Sequence, residues 1–268
     1  MLSFTKMNGA GNDFVMVDNR NNSLQLTNEQ IAKLCDRHRG VGADGLLAVE
    51  PSQNGADVRM RYYNADGGEV EMCGNGARCF ARFVNRLNGG NLSSVSFETP
   101  AGVLSAEYQG ELVKLAMSAP HSLALGTKLD VAGTELEVHF INTGVPHAVV
   151  IVSDLESTPI VEWGRTLRYH PHFAPKGTNA NFMKVIAPGK IDIRTYERGV
   201  EDETLACGTG MVACALVHHL LHGAQGPVSV GVRGGDTLHI GFDAKGQDFS
   251  NVTLTGPADF TFEGQVAI

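Results

Sequence analysis

A cysteine followed by a Gly-polar-Gly step occurs twice in this chain of 268 residues, and the repetition constrains the fold more than any other feature. The first copy is Met72-Cys-Gly-Asn-Gly-Ala-Arg-Cys79, and the second is Ala206-Cys-Gly-Thr-Gly210. Cys73 and Cys207 are 134 positions apart, which is half the length of the chain. An acidic, glycine-containing turn precedes each copy, and an apolar segment typical of a helix follows it.

Other landmarks come into register when the two halves are aligned on these cysteines. At or close to the same offset, residues 13–17 fall on 147–151, 42–44 near 177–179, and 63–64 near 196–197. Four anchors at one offset indicate an internal duplication. Two similar halves related by a pseudo-twofold axis would bring the two cysteine-bearing helices face to face.

Strand and helix signals alternate within each half. A capping box at Thr27-Asn-Glu-Gln30 predicts a helix that continues to about Arg39. The apolar segments after Cys73 and Cys207 predict two further helices, which end at Gly89-Gly90 and at Gly223, and a fourth is expected within residues 158–169. Short strands are predicted over most of the other segments, with none between Pro120 and Glu135.

Charge and cysteine content argue against several classes of protein. The net charge is −8, and because no basic residues cluster, nucleic acid and anionic membranes are not expected as partners. No apolar run approaches the roughly 20 residues of a membrane span, and the first residues lack the layout of a signal peptide. Five cysteines without a C-x-x-C pair favour a reduced, cytoplasmic setting.

The position of Cys73 and Cys207, directly before a helix, suggests their chemistry. The first N–H groups of a helix have no partner inside it, and the helix dipole places partial positive charge there. A cysteine at that point is ionised more easily than its reference pKa of about 8.5 implies. The glycines let a carboxylate approach the same N–H groups. Two such helix ends around one carboxylate suit the removal of a proton from one face of a carbon and its return to the other.

The other three cysteines lack this position, and the motif pair has two alternative roles. Three cysteines are expected to be apolar packing residues: Cys35, Cys79 and Cys214. A disulfide between Cys73 and Cys207 is compatible with oxidation, although a chain of this size needs no staple. A zinc site built from Cys73, Cys207 and His147 remains as a minority interpretation.

Three runs taken together resemble diaminopimelate epimerase. They are Met7-Asn-Gly-Ala-Gly-Asn-Asp-Phe14, then Asn64-Ala-Asp-Gly followed by the Cys73 motif, and Tyr196-Glu-Arg-Gly followed by the Cys207 motif. The resemblance spans nearly the whole chain in the expected order. It implies an epimerase that interconverts LL- and meso-2,6-diaminopimelate without a cofactor or a metal, on the route to lysine and peptidoglycan.

The resemblance also implies an α+β fold of two pseudo-symmetric domains, each a mixed β-sheet or barrel wrapped around a central α-helix. The active site would lie in the cleft between them. We expect residues 1–117 and 257–268 to form the N-terminal domain and residues 118–256 the C-terminal domain. From the residues alone, the segment after Pro257 can close either sheet. A cytoplasmic homodimer acting on a small amino-acid substrate is the implied biological unit.

Site residues follow by motif. The resemblance makes Cys73 and Cys207 the acid/base pair, with His147 and Glu197 adjusting their pKa values. The cradle for the reacting carboxylate would consist of Gly74, Asn75, Gly208 and Thr209. The distal end of the substrate would meet Asn12, Asn64, Asn179 and Arg198, and Glu197 would face its amino groups.

The chain departs from the family pattern at a few positions, and rival functions remain. Gly45 stands where some members carry a substrate-contacting Gln, and Val145 stands where some carry Asn. The nearest rival is a racemase or epimerase of another amino acid on the same fold, such as a proline racemase or hydroxyproline epimerase. Those enzymes typically carry His where this chain has Asn75. A non-enzymatic thiol switch or metal-binding protein is the rival from another class.

Overall fold

The architecture comes from a computed structural model that describes residues 1–70 and 72–268. Over those residues the chain forms strands and four α-helices, with one short 3-10 helix at Pro171–Phe173. The strands, in chain order, are β1 Leu2–Gly9, β2 Asn12–Asp18, β3 Gly45–Glu50, β4 Val58–Asn64, β5 Glu69–Val70, β6 Ser94–Thr99, β7 Gly102–Gln109, β8 Leu112–Ala116, β9 His121–Val131, β10 Thr134–Asn142, β11 Pro146–Ile151, β12 Asn179–Ala187, β13 Lys190–Glu197, β14 Asp202–Thr204, β15 Val228–Gly231, β16 Thr237–Lys245, β17 Asp248–Gly256 and β18 Asp259–Val266. The helices are α1 Asn28–Cys35, α2 Gly74–Leu87, α3 Ile160–Arg168 and α4 Gly208–His222.

The chain divides into two compact units. The first comprises Met1–Leu115 and Gly256–Ile268, and the second comprises Ala116–Thr255. The sequence-based domain limits fall close to these bounds, and their status as independent folding domains stays a prediction. Strand β18, which the residues alone left open, pairs with β1.

The two units repeat one pattern of strand pairing. In the first unit β18, β1 and β2 are antiparallel neighbours, β2 runs parallel to β3, and β3 is antiparallel to β4. Strands β9 to β13 repeat that series in the second unit. Each series continues with a short antiparallel neighbour, β5 or β14, and a parallel one, β6 or β15. The internal duplication inferred from the cysteine spacing is confirmed.

Each unit packs its strands around the helix that follows its Cys-Gly motif. Helix α2 contacts β1, β2, β3, β6 and β7, and α4 contacts the corresponding strands of the second unit. Residues 211–217 of α4 are fully buried, so this helix is apolar on every side. Helix α2 instead buries the charged Arg78 completely. Helices α1 and α3 flank the sheets, with cores built around Ile31 and Leu167.

Helix α1 is shorter than predicted. The capping box at Thr27 and Gln30 forms as expected, but the helix ends at Cys35 rather than near Arg39. Asp36 adopts an extended backbone, and its Oδ1 accepts the N–H groups of His38 and Arg39 at 2.7 and 2.9 Å. The Asp side chain thus offers the backbone an alternative to another helical turn, as Asp commonly does.

Strand β9 was not predicted. Gly126 interrupts its sequence pattern and adopts a positive φ of 71°. The Gly126 N–H donates to Nδ1 of the buried His139 on β10, at 3.1 Å. The strand pairs with β10 across the two-residue turn Ala132-Gly133, in which both residues have a positive φ. Ala is not among the residues that typically begin such a turn, so the sequence gives little sign of this hairpin.

Gly164 provides a test of how α3 packs on β13. A Cβ atom at Gly164 would lie 2.3 Å from Cβ of Tyr196, a fully buried residue. Helix propensity alone would make Gly164→Ala stabilising by about 1 kcal/mol. We expect the clash to outweigh this, with a net loss of about 1–3 kcal/mol in the free energy of unfolding, measured by urea denaturation. Val161→Ala, at an exposed position of the same helix, is the control. A more stable Gly164→Ala variant would contradict the packing.

Candidate active site

Cys73 is the N-cap residue of α2. Its backbone is extended, with φ −138° and ψ 124°, and its carbonyl accepts the N–H of Ala77 at 2.8 Å. The side chain is half-buried. Gly76, in the first turn, lies against Leu47 and Phe14, where a Cβ would come within 3.2 and 3.4 Å of their side chains. The motif therefore sets the cysteine at the positive end of the helix and uses a glycine to bring that end close to the sheet.

Asn75 and Asn12 are joined in one hydrogen-bonded chain within the first unit. Asn75 Nδ2 donates to Asn12 Oδ1 at 2.7 Å, and Asn12 Nδ2 donates to Asp44 Oδ2 at 2.8 Å. Asn75 Oδ1 accepts Nη2 of Arg78 at 2.9 Å. Because a carboxylate accepts only and a guanidinium donates only, Asp44 and Arg78 fix the orientation of both amides.

Asp13, next to Asn12, is a carboxylate paired with two basic side chains. It forms ion pairs with Lys6 at 2.8 Å and with Arg37 at 2.8 Å, and Arg37 also reaches Asp44 at 2.7 Å. Burial alone would raise the pKa of Asp13, but hydrogen bonds from Arg37 and Lys6 more than offset this and lower it to about 2. The carboxylate is therefore a permanently charged anchor beside Asn12.

Asn64 and Gly45 lie opposite each other where β4 and β3 pair. Asn64 is exposed at the end of its strand, and its carbonyl accepts the N–H of Gly67 at 2.9 Å. A Cβ at Gly45 would lie 2.4 Å from the carbonyl oxygen of Tyr63 and 2.7 Å from the ring of Tyr62. Tyr62 thus occupies the space that a side chain at position 45 would need, which gives a physical reason for the departure from the family's Gln.

Cys207 is the N-cap residue of α4 and repeats the geometry of Cys73. Its φ is −124° and its ψ is 110°, and its carbonyl accepts the N–H of Met211 at 3.0 Å. The residue is 6% exposed. A Cβ at Gly210 would lie 2.3 Å from Oδ1 of Asn181, so only glycine admits that amide beside the helix.

His147 is linked to Cys207 through Thr209. The imidazole is fully buried, with Nε2 2.8 Å from Oγ1 of Thr209 and Nδ1 3.1 Å from Nδ2 of Asn181. Thr209 Oγ1 lies 3.7 Å from the Cys207 sulfur. Burial lowers the pKa of His147 to about 3, and the positive charge of Arg198 acts in the same direction. His147 is therefore neutral at physiological pH.

Asn179, Glu197 and Arg198 come together at adjacent ends of β12 and β13. Asn179 Oδ1 accepts the backbone N–H of Arg198 at 2.8 Å, and its Nδ2 donates to the carbonyl of Pro146 at 3.0 Å. Glu197 Oε2 accepts the hydroxyl of Thr204 at 2.8 Å, and burial raises the pKa of Glu197. A hydrogen bond thus joins Asn179 to Arg198, while Glu197, next to Arg198 in the chain, is bonded to Thr204.

Sequence reasoning missed several residues of these groups. Each has a polar side chain that is hydrogen-bonded within the group of a predicted site residue. They are Arg37, Asp44, Arg78, Asn181 and Thr195. Two had a usable signal. Asp44 aligns with Asn179 in the duplication, and Asn181 stands two residues beyond Asn179 on one strand, hence on the same face.

The other cysteines differ from the motif pair in their surroundings. Burial raises the pKa of Cys35 to about 11 and that of Cys79 to about 12, and it raises the pKa of Cys214 as well. None of the five cysteines forms a disulfide. Within residues 1–70 and 72–268, no group of three or more His, Cys, Asp or Glu side chains is arranged to hold a metal ion. Over the same residues, no helix is both long and apolar enough to cross a membrane.

The buried neutral His147 makes stability depend on pH. Its ordinary pKa is 6.5, and in the folded chain it is about 3, so the unfolded chain binds a proton that the folded one refuses. Above pH 6.5 His147 does not reduce the free energy of unfolding. As pH falls from 6.5 toward 3, its refusal of a proton in the folded chain lowers that free energy by at most about 1.4 kcal/mol per pH unit. We expect His147→Gln to reduce this loss in urea unfolding series from about pH 7 to about pH 4. His172→Gln, at an exposed position, is the control. An unchanged dependence in His147→Gln would contradict the assignment.

The chain as a whole is similar to proteins of a known family. The family model described as diaminopimelate epimerase matches residues 4–121 and 139–261. Diaminopimelate epimerase of Aquifex aeolicus is 43% identical, covering 99% of this chain and 98% of its own length. That of Chlorobaculum tepidum is 41% identical, covering 98% of this chain and 100% of its own length.

Solved structures of lower identity share the fold. A PhzF-family phenazine biosynthesis protein of Bacillus anthracis is 18% identical, with a TM-score of 0.74 over 100% of this chain and 99% of that one. A hydroxyproline epimerase of Agrobacterium vitis is 17% identical, with a TM-score of 0.71 over 100% of this chain and 92% of that one. The predicted α+β fold is confirmed. With two relatives above 40% identity over almost all of its length, the chain belongs to the diaminopimelate epimerase family.

Proposed function

We propose that this chain epimerises LL-2,6-diaminopimelate to the meso form by a 1,1-proton transfer between Cys73 and Cys207, without a cofactor. Full-length identity to named diaminopimelate epimerases assigns the activity and its place in lysine biosynthesis. The assignment of roles to residues is our own. The observation that supports it most is that both cysteines hold the same N-cap position in the two repeated units.

In the proposed reaction, each cysteine serves one face of the substrate's α-carbon. The thiolate of one cysteine removes the α-proton and becomes a thiol. The thiol of the other donates its proton to the opposite face and becomes a thiolate. The two cysteines thus exchange protonation states in each turnover, and the reverse reaction restores them.

Basicity alone does not account for this step, because a thiol is a far stronger acid than the α-carbon of an amino acid. The N–H groups at the start of α2 and α4 would stabilise the negative charge that spreads onto the α-carboxylate in the transition state. Gly74 and Gly208 permit close approach to the backbone, while Asn75 and Thr209 bring polar side chains to the same helix ends.

The distal end of the substrate carries a second carboxylate and ammonium group. We assign the carboxylate to Arg198 with Asn12, Asn64 and Asn179, and we assign Glu197 to the amino groups. The hydrogen bond between Asn179 and the backbone of Arg198, with Glu197 next to Arg198 in the chain, supports this assignment. Asn75 in place of His disfavours the proline racemase and hydroxyproline epimerase alternative. A cytoplasmic homodimer is part of the proposal and rests on the family resemblance.

Removing either motif cysteine should abolish epimerisation. Loss of a general acid or base costs on the order of 10²–10⁴-fold in rate, and here either loss leaves one face of the carbon unserved. We expect Cys73→Ala and Cys207→Ala each to lose turnover by at least about that factor, measured by chiral separation of LL- and meso-diaminopimelate. Cys214→Ala, which removes a buried thiol further along α4, is the matched control and should retain turnover per folded molecule. Full activity in either motif variant would refute the pairing.

Arg198 tests the distal contacts. Loss of a hydrogen bond to a charged group costs about 1.5–3 kcal/mol, so Arg198→Gln should lower kcat/KM for diaminopimelate by roughly 10- to 150-fold. Arg198→Lys keeps the charge near His147 but lacks the planar fork, and it should recover only part of that loss. Arg165→Gln removes the same charge from an exposed position and serves as the control.

Wild-type kcat/KM in Arg198→Lys would mean that only the charge matters. Proline or hydroxyproline accepted as well as diaminopimelate would contradict the proposed substrate.

A further inference from the structure

Five side chains of the second unit form a continuous chain that ends at a motif cysteine; four of them are buried, and Thr209 is half-buried. Thr195 Oγ1 lies 3.0 Å from Asn181 Oδ1, and Asn181 Nδ2 lies 3.1 Å from His147 Nδ1. His147 Nε2 lies 2.8 Å from Thr209 Oγ1, which lies 3.7 Å from the Cys207 sulfur. Asn181 and His147 are completely buried. The chain thus runs through the protein interior, where a mispaired donor or acceptor is costly.

The backbone fixes which way the Asn181 amide faces. Its Nδ2 donates to the carbonyl oxygen of Ala148 at 2.9 Å, and a carbonyl only accepts. The second hydrogen of the same NH₂ group therefore faces His147 Nδ1. Oδ1 is left to accept the hydroxyl of Thr195.

The amide in turn fixes the proton on His147. Because Nδ1 faces a donor, it must present its lone pair, and the proton of the neutral ring resides on Nε2. Nε2–H then donates to Thr209 Oγ1. Because a lone pair of Thr209 Oγ1 accepts this hydrogen bond, the hydroxyl hydrogen of Thr209 can point at the Cys207 sulfur.

We propose that Asn181 is a positioning residue that holds His147 in the Nε2–H tautomer and thereby directs the Thr209 hydroxyl as a donor toward the Cys207 sulfur. A donor at that point stabilises the thiolate over the thiol. This inference rests on the proposed function only in making Cys207 one of the two bases. It explains why Gly210 is needed, since a Cβ there would displace the Asn181 amide.

Other charged and titratable groups near the chain are Arg198 and Cys214. The positive charge of Arg198 lowers the pKa of His147, which also favours the neutral ring. Cys214 lies further along α4, and burial raises its pKa, so its thiol stays neutral. Neither group supplies an alternative proton for His147 Nδ1.

The tautomer can be read directly in the wild-type protein. Nitrogen-15 NMR of the histidine side chains distinguishes Nε2–H from Nδ1–H imidazole, and His147→Gln identifies the resonance. We expect the Nε2–H form. An Nδ1–H ring would overturn the inference without bearing on the epimerase reaction.

The consequence for Cys207 can be measured on the free protein by alkylation with iodoacetamide, resolved by mass spectrometry of the Cys207 peptide. In Asn181→Asp a carboxylate replaces the NH₂ group and draws the proton to Nδ1, so that Nε2 accepts from Thr209 and the sulfur loses its donor. We expect the midpoint pH of Cys207 alkylation to rise and the rate below it to fall on the order of tenfold. Thr195→Val removes a buried hydrogen bond to Asn181 but leaves the Ala148 carbonyl to orient the amide, so its midpoint should stay at the wild-type value.

A double-mutant cycle separates the hydrogen-bond chain from a simple charge effect. Thr209→Val removes the last donor, and adding Asn181→Asp to it should produce no further shift if Asn181 acts through Thr209. Additive shifts would show that the new carboxylate acts on Cys207 through space. Equal shifts in Asn181→Asp and Thr195→Val would show a general loss of packing. Either result would overturn the inference.

Discussion

The constraint on which the rest of this structure depends is the position of each motif cysteine at the start of a buried helix. A thiolate in an apolar interior is costly, and in the proposed mechanism the N–H groups and the dipole at the helix start offset that cost. The fold places each central helix inside its own set of strands, which removes water from its sides and leaves its first turn as the polar end. Cys79 and Cys214, one or two turns further along, are ionised less readily, because burial is the main influence on each thiol and raises its pKa.

The two units use the same frame but surround their cysteines with different polar groups. In the first unit, the side chains of Asp44 and Arg78 orient the amides of Asn12 and Asn75, and Asp13 is a charged anchor beside Asn12. In the second, His147 takes the position that Asp13 holds in the duplication; it is neutral, and its hydrogen-bond partners Asn181 and Thr209 are uncharged. This difference suits the proposed reaction, in which one sulfur accepts a proton while the other gives one.

Much of the secondary structure and the pairing of the two motif cysteines could be predicted from the sequence, because local signals mark the helices and the duplication relates the two halves. The start of α1 was predicted from its capping box, and the ends of α2 and α4 from their glycines. What escaped prediction has two origins. Strand β9 and the early end of α1 depend on local features without a strong sequence signal, namely the Ala132-Gly133 turn and the Asp36 side chain. Asn181 acquires its role only when β11, β12 and α4 meet, which is a contact between distant segments. The glycines at 45, 164 and 210 are similar cases, because each leaves space for an atom of another segment that the local sequence does not indicate.

The central claim is that two different sulfurs serve the two faces of one carbon, and the fate of the α-hydrogen tests it most directly. LL-diaminopimelate incubated with the protein in heavy water should yield meso product that carries deuterium at the inverted carbon. The substrate recovered at low conversion should remain unlabelled, because the base that donates is not the base that abstracted. Product that retains the substrate's own α-hydrogen would mean that a single base carries the proton across, and would contradict the account.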